Sequence, residues 1–163
     1  MDPKQQVLDY LNGQSIPFDL VEHPAVYTIE EVLALGLPQD RCIAKNLFLR
    51  NSNGKSHYIL VMEHSKTVDL KALRRQIGSS HLGFASEDRL MTHLGLHKGE
   101  VTPLGILNDS SCTVEVLLDE DLFSEEVIGV HPNTNTATVF LSPQHLEQAI
   151  MAHGNPVRRV KID

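Results

Sequence analysis

Apolar residues recur along this chain with two periods, and the period switches often. Val7, Leu8 and Leu11 share one helical face, with Asp2 placed to cap it, Pro3 at its first position and Gly13 to stop it. Residues 18–22 suit a short strand. Thr28-Ile29-Glu30-Glu31 is a capping box opening a helix through Val32, Leu33 and Leu35, with Gly36 at its end. Residues 44–50 and 57–62 read as strands, and the turn chemistry of Asn51-Ser52-Asn53-Gly54 joins them as a hairpin. Asp69 caps a helix through Leu70, Leu73 and Ile77, closed by Gly78; Ser86 caps another through Leu90 and Leu94, closed by Gly95. Residues 99–105 read as a loop, with Pro103 and two glycines. Residues 113–118 form a β-rich run that loses clean alternation where Leu117 and Leu118 follow Val116. Strands over 127–131 and 136–141 flank the turn Pro132-Asn133-Thr134-Asn135. Ser142-Pro143 starts a last helix that ends near Gly154, and residues 157–162 make a final edge strand.

Hairpins mixed with interspersed helices predict an α+β or mixed-sheet domain, not a doubly wound nucleotide fold. Neither a GxGxxG nor a P-loop pattern occurs. The chain has 163 residues without repeat or long linker, so one domain over residues 1–163 is expected. Hydrophobic residues make up 41% and charged residues 21%, a balance that lets such a domain fold without metal or disulfide. No apolar run approaches the ~20 residues of a membrane span, and the start lacks a signal-peptide pattern, so a cytoplasmic protein without a membrane partner is expected. Cys42 and Cys112 lie far apart and outside any CxxC pair; they read as free, mostly buried thiols and not as zinc ligands. Nothing signals an interface, and a monomer is expected.

Charge changes this picture little. A net charge of −7 argues mildly against nucleic acid as a partner. Contact with an RNA end needs few cations, however, and two short basic runs exist: Lys71, Arg74 and Arg75, and Arg158, Arg159 and Lys161. Each is either a local patch or a solvated face.

The chain lacks a GxSxG elbow, an HExxH motif and a Ser/His/Asp arrangement. His93 and His97 are separated by the helix-ending Gly95 and do not read as a metal pair. Any catalysis must therefore rest on positioning and electrostatics. Three segments offer candidates. Lys45 begins Lys45-Asn46-Leu47-Phe48-Leu49-Arg50; a lysine there either snorkels to solvent or meets a fixed anionic or carbonyl partner. Asn46 alternates to the opposite side in a regular strand. Gly99-Glu100-Val101-Thr102-Pro103-Leu104-Gly105 is either an ordinary turn or a place where backbone N–H groups hold an oxygen. Gly129-Val130-His131-Pro132 puts an imidazole at a strand end, able to position water or a ribose hydroxyl, though a hairpin corner explains the segment equally well.

Taken in order, these segments resemble the YbaK and prolyl-tRNA-synthetase-associated editing domain family, nearest its free-standing alanyl-tRNA(Pro) deacylase branch. Val21-Glu22-His23-Pro24 and Val68-Asp69-Leu70-Lys71 belong to the same ordered set, as does the stretch Asn135-Thr136-Ala137-Thr138-Val139. The resemblance implies a mixed, partly barrel-like β-sheet flanked by helices. It implies hydrolysis of the ester joining alanine to the terminal ribose of tRNA(Pro), with prolyl-tRNA synthetase or an elongation factor as candidate partners and no cofactor or metal. It assigns Lys45, Asn46 and His131 to the catalytic site. Gly99, Thr102, Pro103, Leu104, Gly105 and Gly129 fall on the substrate-binding side, and Val21, Ile29, Leu33 and Phe48 are the expected walls of an alanine-sized pocket. In this picture Lys45 holds a phosphate or polar group, N–H groups of residues 99–105 stabilise the oxyanion, and His131 with Asn46 orients the ribose end or the water. Two alternatives share the resemblance: a deacylase of cysteinyl-tRNA(Pro) or another aminoacyl-tRNA, and a catalytically silent module that binds tRNA or a synthetase.

Overall fold

The computed structural model describes residues 2–36 and 42–163. Helix α1 (Pro3–Gly13) precedes β1 (Asp19–Glu22) and the short α2 (Ile29–Leu33); β2 (Cys42–Arg50) and β3 (His57–Glu63) follow. Then come α3 (Leu70–Ile77), β4 (Gly83–Phe84), α4 (Glu87–Leu94), β5 (Glu115–Asp119), β6 (Ile128–Val130), β7 (Ala137–Leu141), α5 (Pro143–His153) and β8 (Val157–Val160). Seven strands lie in the order β1-β7-β6-β2-β3-β5-β8, and β4 adds to β2. β2 and β3 form the expected antiparallel hairpin, while β2–β6, β3–β5 and β5–β8 pair in parallel, so the sheet is mixed. The final strand sits at the edge, as predicted, and ends at Val160.

Capping chemistry explains most helix boundaries. The side chains of Thr28, Asp69, Ser86 and Ser142 accept hydrogen bonds from N–H groups of their own first turns. Gly78, Gly95 and Gly154 take the left-handed conformation that closes α3, α4 and α5. Asp2 departs from expectation: its side chain caps nothing, and Pro3 supplies the start signal alone. α2 ends at Leu33, short of Leu35, because the next turn tightens, with Leu35 N–H donating to Val32 O.

Both faces of the sheet are covered. Along β3, Ile59 and Val61 enter one apolar cluster while Leu60 and Met62 enter another, which follows the two-residue alternation of a strand. β5 is buried at four of its five positions, since it lies between β3 and β8; this is why residues 113–118 do not alternate. A third, smaller cluster joins Val26, Val32, Ile43 and Phe140 beneath α2. No described helix is long and apolar enough to cross a membrane.

Two features depart from the expected layout. Residues 99–105 are not one loop: Pro103–Asn108 form a 3-10 helix whose first N–H, that of Leu104, is capped by the Thr102 hydroxyl. Thr102 followed by Pro103 is a start signal of the same kind as Ser142-Pro143. The two-residue β4 was not predicted, because its only warrant is the pairing of Leu49 with Phe84 and Arg50 with Gly83.

Candidate active site

The parallel register of β2 and β6 sets the site. Cys42 lies beside Ile128 and Ile43 beside Gly129, and carrying that register two residues onward brings His131 level with Lys45. A cavity of about 440 Å³ opens there. Its lining includes residues 43–48 of β2, residues 129–131, the start of α2, residues 84–87, and Lys98, Gly99 and Val101.

The three expected catalytic residues thus come together, each with unused bonding capacity. Lys45 is half-buried, and its ammonium makes no hydrogen bond or ion pair among the described residues. Asn46 Oδ1 is buried and accepts no hydrogen bond among the described residues. Buried polar atoms without partners are rare, and one on a cavity wall points to a ligand donor. His131 Nδ1 lies 3.2 Å from Ala137 O. A carbonyl only accepts, so Nδ1 carries the proton and Nε2 keeps a lone pair. Burial, reinforced by nearby His23, holds the imidazole below its usual pKa, against the bond to Ala137 O. His131 is therefore neutral at pH 7.

The remaining expected residues divide. Gly99, Gly129, Ile29 and Phe48 line the cavity. Val21, Leu33, Thr102, Pro103, Leu104 and Gly105 do not. Leu33 is 48% exposed beyond the wall, and Val21 packs into the cluster under α2. Thr102 is fully buried; its hydroxyl donates to His131 O over 2.6 Å and accepts from Leu104 N–H. Gly105 N–H returns to Thr102 O. The N–H groups of Leu104 and Gly105 are consumed by the 3-10 helix and cannot hold an oxyanion. Those of Gly99 and Val101, on the cavity wall, make no hydrogen bond among the described residues.

The glycines have separate reasons. Gly99 adopts φ +87° with its Cα against Tyr27, where a Cβ would lie 3.1 Å from the ring. A Cβ on Gly129 would come within 2.8 Å of both Ile43 and Phe140, so this floor position admits no side chain.

Several lining residues carry no sequence motif. Val32, Ile43, Leu90 and Val130 complete the apolar wall. Thr138 also lines it; His23 Nδ1 donates to Pro24 O, which leaves His23 Nε2 to accept the Thr138 hydroxyl over 2.9 Å. His23 thus orients a wall residue. The signal was present, since His23 and Thr138 both lie in segments that carry the family resemblance.

Both cysteines are free and only partly buried. Burial, with Glu125, Glu63 and Asp119 nearby, pushes the Cys42 thiol up to about 12, so it is no nucleophile at neutral pH. Cys42, Glu63 and His64 bring three donor atoms within 4.8 Å of one another, but none of the three lines the cavity. Of the basic runs, Arg158 is paired with Glu115 and Arg159 with Glu147. Lys71 and Arg75 remain exposed on α3.

A mixed α+β sheet carries a cavity walled by a lysine, an amide, an imidazole and free backbone N–H groups, chemistry that can bind and polarise a carbonyl. The model of the aminoacyl-tRNA editing domain matches residues 23–149, and the chain belongs to that family. It is 44% identical over 162 residues to the prolyl-tRNA editing protein ProX of Acetoanaerobium sticklandii, covering 99% of both chains. It is 32% identical over 149 residues to the prolyl-tRNA synthetase associated domain-containing protein 1 of Mus musculus, covering 89% of this chain and 88% of that one. A crystal structure of a proposed trans-editing enzyme for prolyl tRNA synthetase superposes with a TM-score of 0.76 at 22% identity, covering all of this chain and 99% of the other. The family expected from the ordered segments is the family found.

Proposed function

We propose that this protein hydrolyses the ester of alanyl-tRNA(Pro), freeing the wrongly attached alanine. The observation that carries this reading is the cluster of unused groups on one cavity: the Lys45 ammonium, Asn46 Oδ1 and the neutral His131 Nε2.

Each group has a task that its free valence suits. Lys45 attracts the terminal phosphate or the polar groups of the substrate. Asn46 Oδ1 accepts from the α-ammonium of the amino acid or from a ribose hydroxyl. His131 Nε2 accepts from the ribose end or from the attacking water, and Thr102 fixes the backbone that carries it. Water adds to the ester carbonyl. The oxyanion that develops faces the N–H groups of Gly99 and Val101, in place of those deeper in the 3-10 helix. Collapse of the adduct expels the ribose oxygen, which takes up the proton released by the water. An aminoacyl ester is already activated, and the neighbouring ribose hydroxyl of the RNA assists that proton transfer, so no protein nucleophile is needed.

Selection is steric. On this reading Ile29 and Phe48, with Val32 and Ile43, are the cavity walls that admit alanine and refuse the proline ring. Smaller residues such as glycine are harder to refuse, because one methyl is worth only about 1–3 kcal/mol. The test is a panel of alanyl-, prolyl- and cysteinyl-tRNA(Pro). Alanine release is expected to dominate, and Ile29→Ala is expected to admit larger residues. Lys45→Ala should lose about a hundredfold in kcat/KM, the scale of one charge-assisted hydrogen bond of about 3 kcal/mol. Deacylation by Lys45→Ala at the wild-type rate would remove Lys45 from the site. RNA binding without amino acid release would make the protein a silent binding module.

A further inference from the structure

The cavity is larger than its amino acid. At about 440 Å³ it falls among sites that enclose whole small-molecule ligands, whereas an alanyl group is a handful of heavy atoms. The excess has a chemical character. The chain has five phenylalanines and three tyrosines, and only Phe84 and Tyr27 are exposed, at 63% and 64%. Both line this cavity. Two large rings held in water at one cavity mouth, while every other Phe and Tyr is at least partly buried, are not there for the core.

Both rings stand on fixed backbone. Phe84 is held by its pairing with Leu49 in β2, and Ala85 N–H donates to Phe48 O. Tyr27 N–H donates to Glu31 Oε2 at the start of α2, and Gly99 packs against the Tyr27 ring and Cα. A rigid, solvated aromatic face loses little entropy when a flat partner covers it. Lys45 supplies positive charge on the same lining, while Lys98 is offset by Glu87, 3.9 Å away.

We propose that Phe84, together with Tyr27, forms a nucleobase subsite that stacks the unpaired terminal adenosine of the tRNA. The proposal rests on the reading of the protein as a tRNA deacylase. Stacking needs no base-edge hydrogen bonds, so the subsite recognises a single-stranded end by its π face, leaving amino acid choice to the apolar wall.

The test uses Phe84→Ala, Tyr27→Ala and Phe84→Trp with alanylated acceptor minihelices, intact or lacking the terminal base. The protein has no tryptophan, so Phe84→Trp is both the conservative rescue and the sole indole reporter. Phe84→Ala should raise KM about tenfold or more with kcat little changed, the scale of one lost base stack. Phe84→Trp should keep the wild-type KM, and uncharged minihelix should quench its fluorescence. On substrate lacking the base, wild type and Phe84→Ala should become equal; a merely structural role for Phe84 would preserve their difference. An active wild type with an unchanged KM in Phe84→Ala and an unquenched Phe84→Trp would overturn the subsite. An inactive wild type whose Phe84→Trp form is still quenched would uphold the subsite and sink the deacylase reading. An inactive and unquenched protein would sink both.

Discussion

His131 shows how one bond sets a residue's chemistry. Its Nδ1 is committed to Ala137 O and its backbone carbonyl to the Thr102 hydroxyl, so both ring and backbone are held, with Nε2 free among the described residues. Burial then keeps it neutral. A base whose pKa is lowered stays active to lower pH than an ordinary imidazole near 6.5. After spontaneous hydrolysis is subtracted, kcat/KM for alanyl-tRNA(Pro) should stay level as pH falls through 6.5 and decline only in more acid solution. A midpoint at or above 6.5 would mean that this environment does not govern the reaction. Thr102→Val removes the hydroxyl that holds the His131 carbonyl and should lower kcat more than it alters KM, although Thr102 never touches the cavity.

At the scale of elements, β3 and α4 meet through His57. Its ring stacks on Phe48 and lies 3.9 Å from the His93 ring, and Arg89 Nη1 donates to its Nε2 over 3.1 Å. Burial first, then the charges of His93 and Arg89, push His57 down to about 4. The folded pKa is below the unfolded value of about 6.5, so the contribution is whole above pH 6.5 and is lost as pH falls from there toward 4. The difference corresponds to about 3 kcal/mol. Urea unfolding at pH 7.5 and 4.5 should show His57→Gln losing less stability between the two than wild type, because Gln accepts from Arg89 without titrating. Equal losses would refute the coupling.

Elements defined by local chemistry were legible in the sequence. The caps at Thr28, Asp69, Ser86 and Ser142 and the closing glycines at Gly78, Gly95 and Gly154 each act within one turn, and each was read correctly. The 3-10 helix at Pro103–Asn108 was missed although Thr102-Pro103 announces it, because two flanking glycines suggested a loop. β4 and the walls at Val32, Ile43 and Leu90 were not legible, since their roles exist only once distant segments meet. The ordered resemblance singles out Lys45, Asn46 and His131 as candidates; neither their shared cavity nor the free valence of Asn46 follows from spacing.

At the scale of the whole molecule, two covered faces hold β2 rigidly between clusters. Leu49 lies in one cluster and Ala44 and Phe48 in another, while Lys45 and Asn46 line the cavity. The site is thus carried on a strand packed on both faces, which suits a reaction that depends on placement. The same rigidity denies Asn46 any local relief. Its orphaned oxygen weakens the empty protein by about 1–3 kcal/mol, the usual penalty for an unsatisfied buried acceptor. Asn46→Leu, nearly the same shape without the polar atom, should therefore melt a few degrees higher than wild type while editing poorly; a lower melting temperature would show that the oxygen has a partner after all. Selection for heat resistance alone would erase this residue; under the proposed function, what keeps it is a demand made by the RNA and not by the fold.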